Sequence, residues 1–523
     1  MWGIMTVERL LNLAHLVVAR WLLHILALLL TIFLGLVVYN RVTFQGEYYL
    51  WSEGAVMINL MKLENGEPVY GPAVEANSSI YSPSASYTAF AVLKPLDLAT
   101  DLRAVRAVVV AVGVLGCVLA ALSSALLAGV RLRSAGPWLI TSTCVAILVR
   151  AQNPSFDALH PDNWHILHAT FTLLLCILAL QSGRLGWGIA AMLVAGTGIL
   201  AKQTAALAPV GVGLALLLGH RWSRRDALIL AGAGVLSLGV CAALLLGPEN
   251  SRFWAYELAA DRATKPLKIW LLIVEIIEHP YHLALIALVF PALLHFMRRA
   301  QRPLWLAWIG VGIFEVAPAL PAFIKDGGVV NNLGIVDLWL FIGMWALWGF
   351  GAMGTRLIPP PGESSRLTAY RVNPAYVALV FVLLVYPVKK APPADLRDYV
   401  DDLHQHVQAD VDAGQQVLLT YATTPLIEAG VTEPPRDQAH ALLDLERGGY
   451  TGSTGAWERI ADQYYDRVYV NLIELPEGFL DHVRAYYHEV ARIPQPDSVD
   501  DLTFEQGFFT RLMPDVVIFA PNE

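Results

Sequence analysis

Eleven apolar runs fill most of the first 390 residues, and their lengths favour helices that cross a membrane. A bilayer interior about 30 Å thick needs roughly 20 apolar residues in a helix. Only 15% of the 523 residues are charged, against about a quarter in soluble domains. These proportions exclude an ordinary soluble enzyme and a disordered chain. The runs predict spans at 16–40, 104–130, 137–150, 164–182, 187–201, 204–219, 227–247, 281–298, 304–324, 333–352 and 375–388.

Basic side chains in the short loops predict which side of the membrane each loop faces. Arg and Lys collect on the cytoplasmic side. Here they lie at 131–133, 184, 221–225, 298–302 and 356–371. With eleven spans, this pattern places the N-terminus in the cytoplasm, and it places the loops 41–103 and 151–163 and the C-terminal part outside. We therefore expect a multi-pass protein of the cell inner (plasma) membrane with an extracytoplasmic C-terminal domain.

Residues 391–523 differ in kind from the rest of the chain. They contain 24 Asp and Glu against eight Arg and no Lys, a net charge of −16, while the whole chain carries −8. Alternation of strand and helix patterns predicts an α/β soluble domain at 391–523 after a transmembrane domain at 1–390. The acidic balance argues against a nucleic-acid partner. The strand patterns lie at 416–420, 467–471 and 515–520, and the helix patterns at 394–413, 437–448, 455–464 and 476–490.

The outer loop 41–103 is too long and too aromatic to be a simple connection. Its apolar patterns predict interfacial helices that run through Leu63 and over 84–96. Glu53 lies beside the exit of the first span, where partial removal from water would suit a general base. Alternatively, Ser52 caps a helix and Glu53 is an ordinary acid of its first turn.

The second outer loop, 151–163, also carries polar side chains. Asp157, His160 and Asp162, with His165 in the next helix, could bind a divalent metal, although they form no fixed ligand pattern. Alternatively, Asp162 or Asn163 only caps the helix that starts at Trp164. The sequence leaves the metal open.

Two breaks in apolar stretches place cations at the outer side of the membrane. Lys202 and Gln203 form the first break, Lys325 opens the second, and Arg150 lies at the same level. A cation near membrane depth is costly unless it has a partner or a purpose. Together these cations indicate a cavity for an anionic substrate, although lysines that merely anchor helices at the interface would be placed similarly. Glu315, an acid inside the ninth run, is a secondary candidate for this cavity.

Several short motifs follow one another in a recognisable order. They are Trp51-Ser52-Glu53-Gly54, Gly66-Glu67-Pro68-Val69-Tyr70, Tyr81-Ser82-Pro83, Ala201-Lys202-Gln203-Thr204 and the stretch from Lys325 to Asn332. This order resembles the GT-C glycosyltransferases, in particular bacterial relatives of the protein O-mannosyltransferases and the lipid A aminoarabinose transferase. The resemblance covers residues 16–350 and rests on the combination of motifs. Many relatives have an Asp-Glu pair where this chain has Ser52-Glu53, so Glu47 is a second candidate for the base.

The resemblance implies a GT-C-like helical body that transfers a sugar from a polyprenyl-phosphate donor to a hydroxyl acceptor, with inversion, at the outer face. The donor, membrane lipid and a glycan, lipid or protein acceptor are the implied partners. No cofactor is certain, and the C-terminal domain would help to choose the acceptor. The implied site residues are Glu53, Glu47 and Asp162 for catalysis, Lys202, Lys325 and Arg150 for the donor phosphate, and His160, Asp157, Tyr81, Gln203 and Asn331 for substrate binding.

Two hypotheses from other classes stay open at this point. A transporter or lipid flippase would also contain broken helices with polar residues, but the sequence shows no inverted repeat. An envelope scaffold would rely on the C-terminal domain alone, and its function would survive a Glu53→Gln substitution.

Overall fold

The computed structural model describes residues 38–47, 50–128, 159–278, 302–325, 331–344, 394–450, 454–472, 474–497 and 515–523, with 25, 28, 29, 32, 35, 36 and 346 as isolated positions. Within these residues the first part of the chain is helical. Four of its helices are long and apolar enough to cross a membrane, namely Leu102–Leu127, Asp162–Ser182, Arg224–Leu246 and Pro303–Ala322. Three shorter apolar helices accompany them, Leu185–Ala201, Gln203–Gly219 and Gly334–Met344.

These seven helices coincide with seven of the eleven predicted spans. The runs at 137–150, 281–298 and 375–388 lie outside the described residues, and the run at 16–40 is described only in part. The total of eleven spans therefore stays a prediction. The segment after residue 265 forms the helix Pro266–Glu278, in which Leu267, Ile269, Trp270, Leu271 and Ile273 are exposed.

Small residues let the apolar helices approach closely. A side chain added at Gly211 would lie 2.3 Å from the backbone oxygen of Gly310, and one at Gly116 would lie 2.8 Å from the Ile166 side chain. Close approach of this kind strengthens van der Waals packing between helices. In lipid this packing matters because the hydrophobic effect contributes little to helix association. The resulting core joins Ala120, Leu173, Leu216 and Trp305, with many neighbours that are equally buried.

The outer loop contains the helices Leu50–Glu64 and Ser84–Leu93, at the positions that the apolar patterns predicted. Short 3-10 turns at Ala73–Glu75 and Lys94–Leu96 complete it. Lys62 holds the connection between the helices, because its buried ammonium donates to the backbone oxygens of Val69 and Asn77 at 3.2 and 2.9 Å. Burial lowers the pKa of Lys62 to about 8.

The predicted break at Lys202 interrupts a helical stretch. Leu185–Gly196 and Gly198–Ala201 precede it, Lys202 itself is extended, and the 3-10 turn Gln203–Leu207 leads into Ala208–Gly219. Further helical pieces follow in the described part of the helical body. They are Glu249–Arg252, the π-turn Phe253–Glu257, Leu258–Asp261, Arg302–Val311, the π-turn Gly312–Val316, Ala319–Ile324 and Asn331–Met344.

The C-terminal part contains a four-stranded mixed sheet in the order β1-β2-β4-β3. Strands β1 and β2 are parallel, and β4 is antiparallel to both β2 and β3. The strands are β1 Val417–Leu419, β2 Arg467–Asn471, β3 Tyr487–Ile493 and β4 Val516–Pro521. Helices flank the sheet at Ala394–Asp412, Thr424–Glu428, Ala439–Arg447, Ala456–Ala461 and Phe479–Tyr486.

Three of these strands lie where the sequence patterns predicted them, but the helix predicted over 476–490 is too long. The helix ends at Tyr486 and β3 begins at the next residue. Most of β3 is exposed, so it lacks the run of buried apolar residues that marks the other strands. Pairing with the buried strand β4 stabilises it as a strand instead.

The C-terminal part packs directly on the helical body. Leu442 and Leu445 share one buried apolar cluster with Tyr70 of the outer loop and with Trp254 and Leu258 of the body. The predicted domain boundary near residue 390 therefore does not separate two independent apolar cores. The division into domains at 1–390 and 391–523 stays a prediction.

Candidate functional site

Glu53 and Arg106 form a buried ion pair. The guanidinium of Arg106 donates two hydrogen bonds of 2.8 Å to the two carboxylate oxygens of Glu53, and neither side chain has exposed surface. The backbone amide of Leu159 donates to the same carboxylate at 3.1 Å. Arg106 also donates to the backbone oxygens of Phe44 and Gly46 at 2.6 Å. Through these hydrogen bonds, the pair connects the loop 41–103 with Leu159 of the loop 151–163.

These contacts bear on the predicted role of Glu53. Both oxygens are engaged by N–H groups and the side chain has no exposed surface, which favours a role in positioning Leu159 and the residues that follow. Glu53 as the general base stays a prediction. Sequence reasoning missed Arg106, although a cation within the apolar run 104–130 is the kind of residue that needs a partner.

Three of the predicted polar residues meet at the start of the helix Asp162–Ser182. Lys202 donates to one oxygen of Asp162 at 2.6 Å, and the Nδ1 atom of His160 lies 3.0 Å from the other. The ring of Tyr81 packs edge-on against the His160 ring, with the ring centres 5.0 Å apart. Asp162 and His160 are nearly buried, whereas 14% of the Lys202 side chain is exposed. The structure thus brings together four of the predicted site residues from three separate parts of the chain.

The structure describes three of the four predicted ligands for a divalent metal. Among the described residues no group of three His, Cys, Asp or Glu side chains is placed to hold a metal ion. Asp162 directs one oxygen at the Lys202 ammonium. His165 lies one turn away, and Asp157 is outside the described residues.

Gln203 and Lys325 both contact one helical segment, 253–261. The Gln203 amide donates to the backbone oxygens of Ile80 and Ala255, at 2.7 and 3.0 Å. The Lys325 ammonium donates to the backbone oxygen of Ala259 at 3.0 Å. Ala255 and Ala259 are one helical turn apart, so the two predicted breaks flank the same segment.

The remaining predicted residues are described less fully. Asn331 starts the helix Asn331–Met344, and its side chain lies outside the description, as does the whole of Arg150. Glu315 lies inside the helical body, where it forms a buried pair with His168 rather than with Lys202.

Glu47 binds the C-terminal part of the chain. One carboxylate oxygen accepts from the backbone amides of Thr423 and Thr424 and from the Thr424 hydroxyl, at 2.7–2.8 Å. The second oxygen is buried and has no hydrogen-bond partner within the part of the chain that the structure describes. Burial raises the pKa of Glu47 to about 7. The carboxyl therefore joins the outer loop to the turn after strand β1.

This contact predicts a dependence of stability on pH. The pKa of Glu47 rises from 4.5 to about 7 on folding, so the folded state binds the proton more tightly. Protonated Glu47 therefore stabilises the folded state by on the order of 3 kcal/mol at most. This contribution is complete below pH 4.5 and is lost as the pH rises through 7. Glu47→Gln keeps a neutral acceptor, so its thermal midpoint should exceed that of the wild type at pH 8 and match it near pH 5.

The measurement is thermal unfolding of the purified protein between pH 5 and 8. Glu67→Gln, which changes an exposed acid of the same loop, is the matched control and should follow the wild-type curve. Parallel curves for the wild type and Glu47→Gln over this range would show that Glu47 does not titrate in the folded protein.

One family model matches the region that carries most of this site. The model described as dolichyl-phosphate-mannose-protein mannosyltransferase matches residues 97–246. That region includes Arg106, His160, Asp162, Lys202 and Gln203. No curated protein matches the chain by sequence.

The fold is similar to that of a solved structure. The crystal structure of ArnT from Cupriavidus metallidurans bound to undecaprenyl phosphate matches with a TM-score of 0.54 and 13% identity, over 94% of this chain and 97% of that chain. The Archaeoglobus fulgidus oligosaccharyltransferase in complex with zinc and sulfate matches over 89% and 71%, with 13% identity and a TM-score of only 0.42. The match over residues 97–246 accords with the resemblance that the order of the motifs indicated, and the likeness to ArnT concerns the fold.

Proposed function

We propose that this chain transfers a sugar from a polyprenyl-phosphate donor to a hydroxyl acceptor at the outer face of the membrane. The observation that carries the proposal is the meeting of Lys202, Asp162, His160 and Tyr81 at a break in an apolar helical stretch. A fixed, partly exposed ammonium at a break in an apolar helical stretch suits a lipid-linked phosphate, because the lipid tail can remain between helices. The ArnT structure contains undecaprenyl phosphate, which is a donor carrier of this class.

The chemistry requires charge stabilisation more than covalent help from the protein. The acceptor oxygen forms a bond to the anomeric carbon from the face opposite the phosphate, and the bond between that carbon and the phosphate oxygen breaks. The electron pair leaves with the phosphate, so negative charge grows there. A preorganised ammonium in a site that excludes water stabilises such charge strongly. Lys202 would supply it, and Asp162 would hold the ammonium in place.

The proton of the acceptor hydroxyl passes to a carboxylate. Glu53 is the predicted base, either alone or sharing the role with Glu47. The contacts of Glu53 with Arg106 and Leu159 support positioning, and Glu47 is covered by Thr423 and Thr424. A base and a positioning residue differ in kinetics, because only replacement of the base changes the pH dependence of kcat/KM.

The test is a transfer assay with purified protein in lipid nanodiscs. Undecaprenyl-phosphate-linked sugars serve as donors, a membrane extract serves as the acceptor source, and the release of free undecaprenyl phosphate is measured. We expect acceptor-dependent release by the wild type. Glu53→Gln should lower kcat, with an altered pH profile if Glu53 is the base and an unchanged profile if it positions Leu159. Folded wild-type protein that neither binds undecaprenyl phosphate nor releases it from any donor would contradict the proposed function.

A further inference from the structure

One buried pair of titratable side chains in the helical body has no part in the proposed reaction. Glu315 has no exposed surface and pairs with the Nδ1 atom of His168, which is also buried. Glu315 lies in the π-turn Gly312–Val316, within the apolar helix Pro303–Ala322. Irregular turns of this kind often accompany functional sites, and an acid at membrane depth is rarely without a role.

The hydrogen bonds of His168 determine where its protons lie. The Nε2 atom lies 2.7 Å from the backbone oxygen of Val194. Because a carbonyl oxygen can only accept, Nε2 carries a hydrogen and donates it. One further proton then lies between Nδ1 and the Glu315 carboxyl, on one atom or the other. In both cases the pair carries no net charge.

The contact with Val194 connects His168 to the backbone that leads into the Lys202 break. Val194 lies in the last turn of the helix Leu185–Gly196. Its oxygen also accepts hydrogen bonds from the backbone amide and the hydroxyl of Thr197, at 2.9 and 2.8 Å. His168 therefore helps to fix the turn in which this helix ends.

Gly198 packs against His168 directly after that turn. A side chain added at Gly198 would lie 2.9 Å from the Cε1 atom of His168 and 2.7 Å from the backbone oxygen of Ala205, beyond the break. The Gly198 oxygen accepts the backbone amide of Lys202 at 2.9 Å. His168 thus contacts the short helix Gly198–Ala201, which directly precedes Lys202.

The helix Asp162–Ser182 therefore holds Lys202 in two ways. Asp162 binds its ammonium at 2.6 Å, and His168 of the same helix holds the backbone that leads to it. We propose that His168 is a positioning residue for Lys202 and that Glu315 acts as its proton-sharing partner. The proposal rests on the proposed function for its kinetic consequence. Neither side chain touches a reacting atom.

The experiment separates the two hydrogen bonds of His168. Glu315→Gln can donate from its amide to Nδ1, so it keeps a neutral pair and leaves the hydrogen on Nε2. In that background, His168→Gln still presents a donor near the position of Nε2, whereas the shorter His168→Asn reaches only the position of Nδ1. His168→Gln is therefore the matched control for His168→Asn. Hydrogen–deuterium exchange of residues 197–202, kcat, donor KM and the pH dependence of kcat/KM are measured for each full-length variant in nanodiscs.

We expect Glu315→Gln, alone or with His168→Gln, to stay within a few-fold of the wild-type kcat and to keep its pH profile. Glu315→Gln combined with His168→Asn should speed exchange at residues 197–202. It should also lower kcat by about 10- to 100-fold with little change in donor KM, because small misplacements at a reacting site have effects of this size.

Unchanged exchange at residues 197–202 in the variant with His168→Asn, or an equal loss with His168→Gln, would overturn the proposal. An inactive Glu315→Gln with normal exchange would overturn it as well, since Glu315 would then act through its charge or its proton. An inactive wild type that still shows the local difference in exchange between the two His168 variants would refute the proposed function and support the positioning.

Discussion

Lys202→Gln should transfer sugar about 10²–10³-fold more slowly than the wild type, the usual effect of removing one preorganised donor from a developing oxyanion. The ammonium is held by Asp162 at 2.6 Å and keeps some exposed surface. Gln can still donate a hydrogen bond, but it cannot supply the positive charge that the leaving phosphate needs. The loss should therefore fall mainly on kcat. The measurement is the rate of undecaprenyl phosphate release at saturating donor.

Lys94→Gln is the matched control for that experiment. Lys94 lies in the loop 41–103, where its side chain is 47% exposed and pairs with Glu64. This variant should retain the wild-type rate, since exposed ion pairs contribute little. A rate for Lys202→Gln within a few-fold of the wild type, in protein that remains folded, would remove Lys202 from the phosphate site.

The second large effect concerns stability at the pair of Glu53 and Arg106. Arg106→Met should destabilise the protein by about 3–5 kcal/mol, because it leaves a carboxylate buried without its cation. The backbone oxygens of Phe44 and Gly46 would lose their donors as well. Thermal unfolding in detergent should show a clearly lower midpoint, and the variant should be recovered in lower yield.

A double variant separates the ion pair from the rest of this effect. Combining Glu53→Gln with Arg106→Met removes both charges, so much of the lost stability should return. Arg103→Met, at a half-exposed position in the first turn of the same helix, is the control and should leave the midpoint unchanged. If Arg106→Met unfolds at the wild-type temperature, the buried pair is not a structural element of the outer loop.

Local patterns predicted local structure well. The helices Leu50–Glu64 and Ser84–Leu93, the break at Lys202 and three of the four strands follow from apolar spacing and from interruptions of it. Each of these features depends on residues close together in the chain.

Partners far apart in the chain could not be read from the sequence. Glu53 and Arg106 are 53 residues apart, and Asp444 and Arg262 are 182 residues apart. The sequence predicted Glu53 as a general base or as a helix-start acid, and its buried partner Arg106 lies on a different helix. The strand β3 was missed for a similar reason, since pairing with β4 rather than its own residues makes it a strand.

The most direct measurement is a structure of the protein with undecaprenyl phosphate bound in a lipid nanodisc. The phosphate should lie at hydrogen-bond distance, about 3 Å, from the Lys202 ammonium, with Tyr81 and His160 lining the adjacent space. The lipid tail should lie between helices of the body. Phosphate bound away from Lys202, with the ammonium still engaged only by protein groups, would contradict the proposed site.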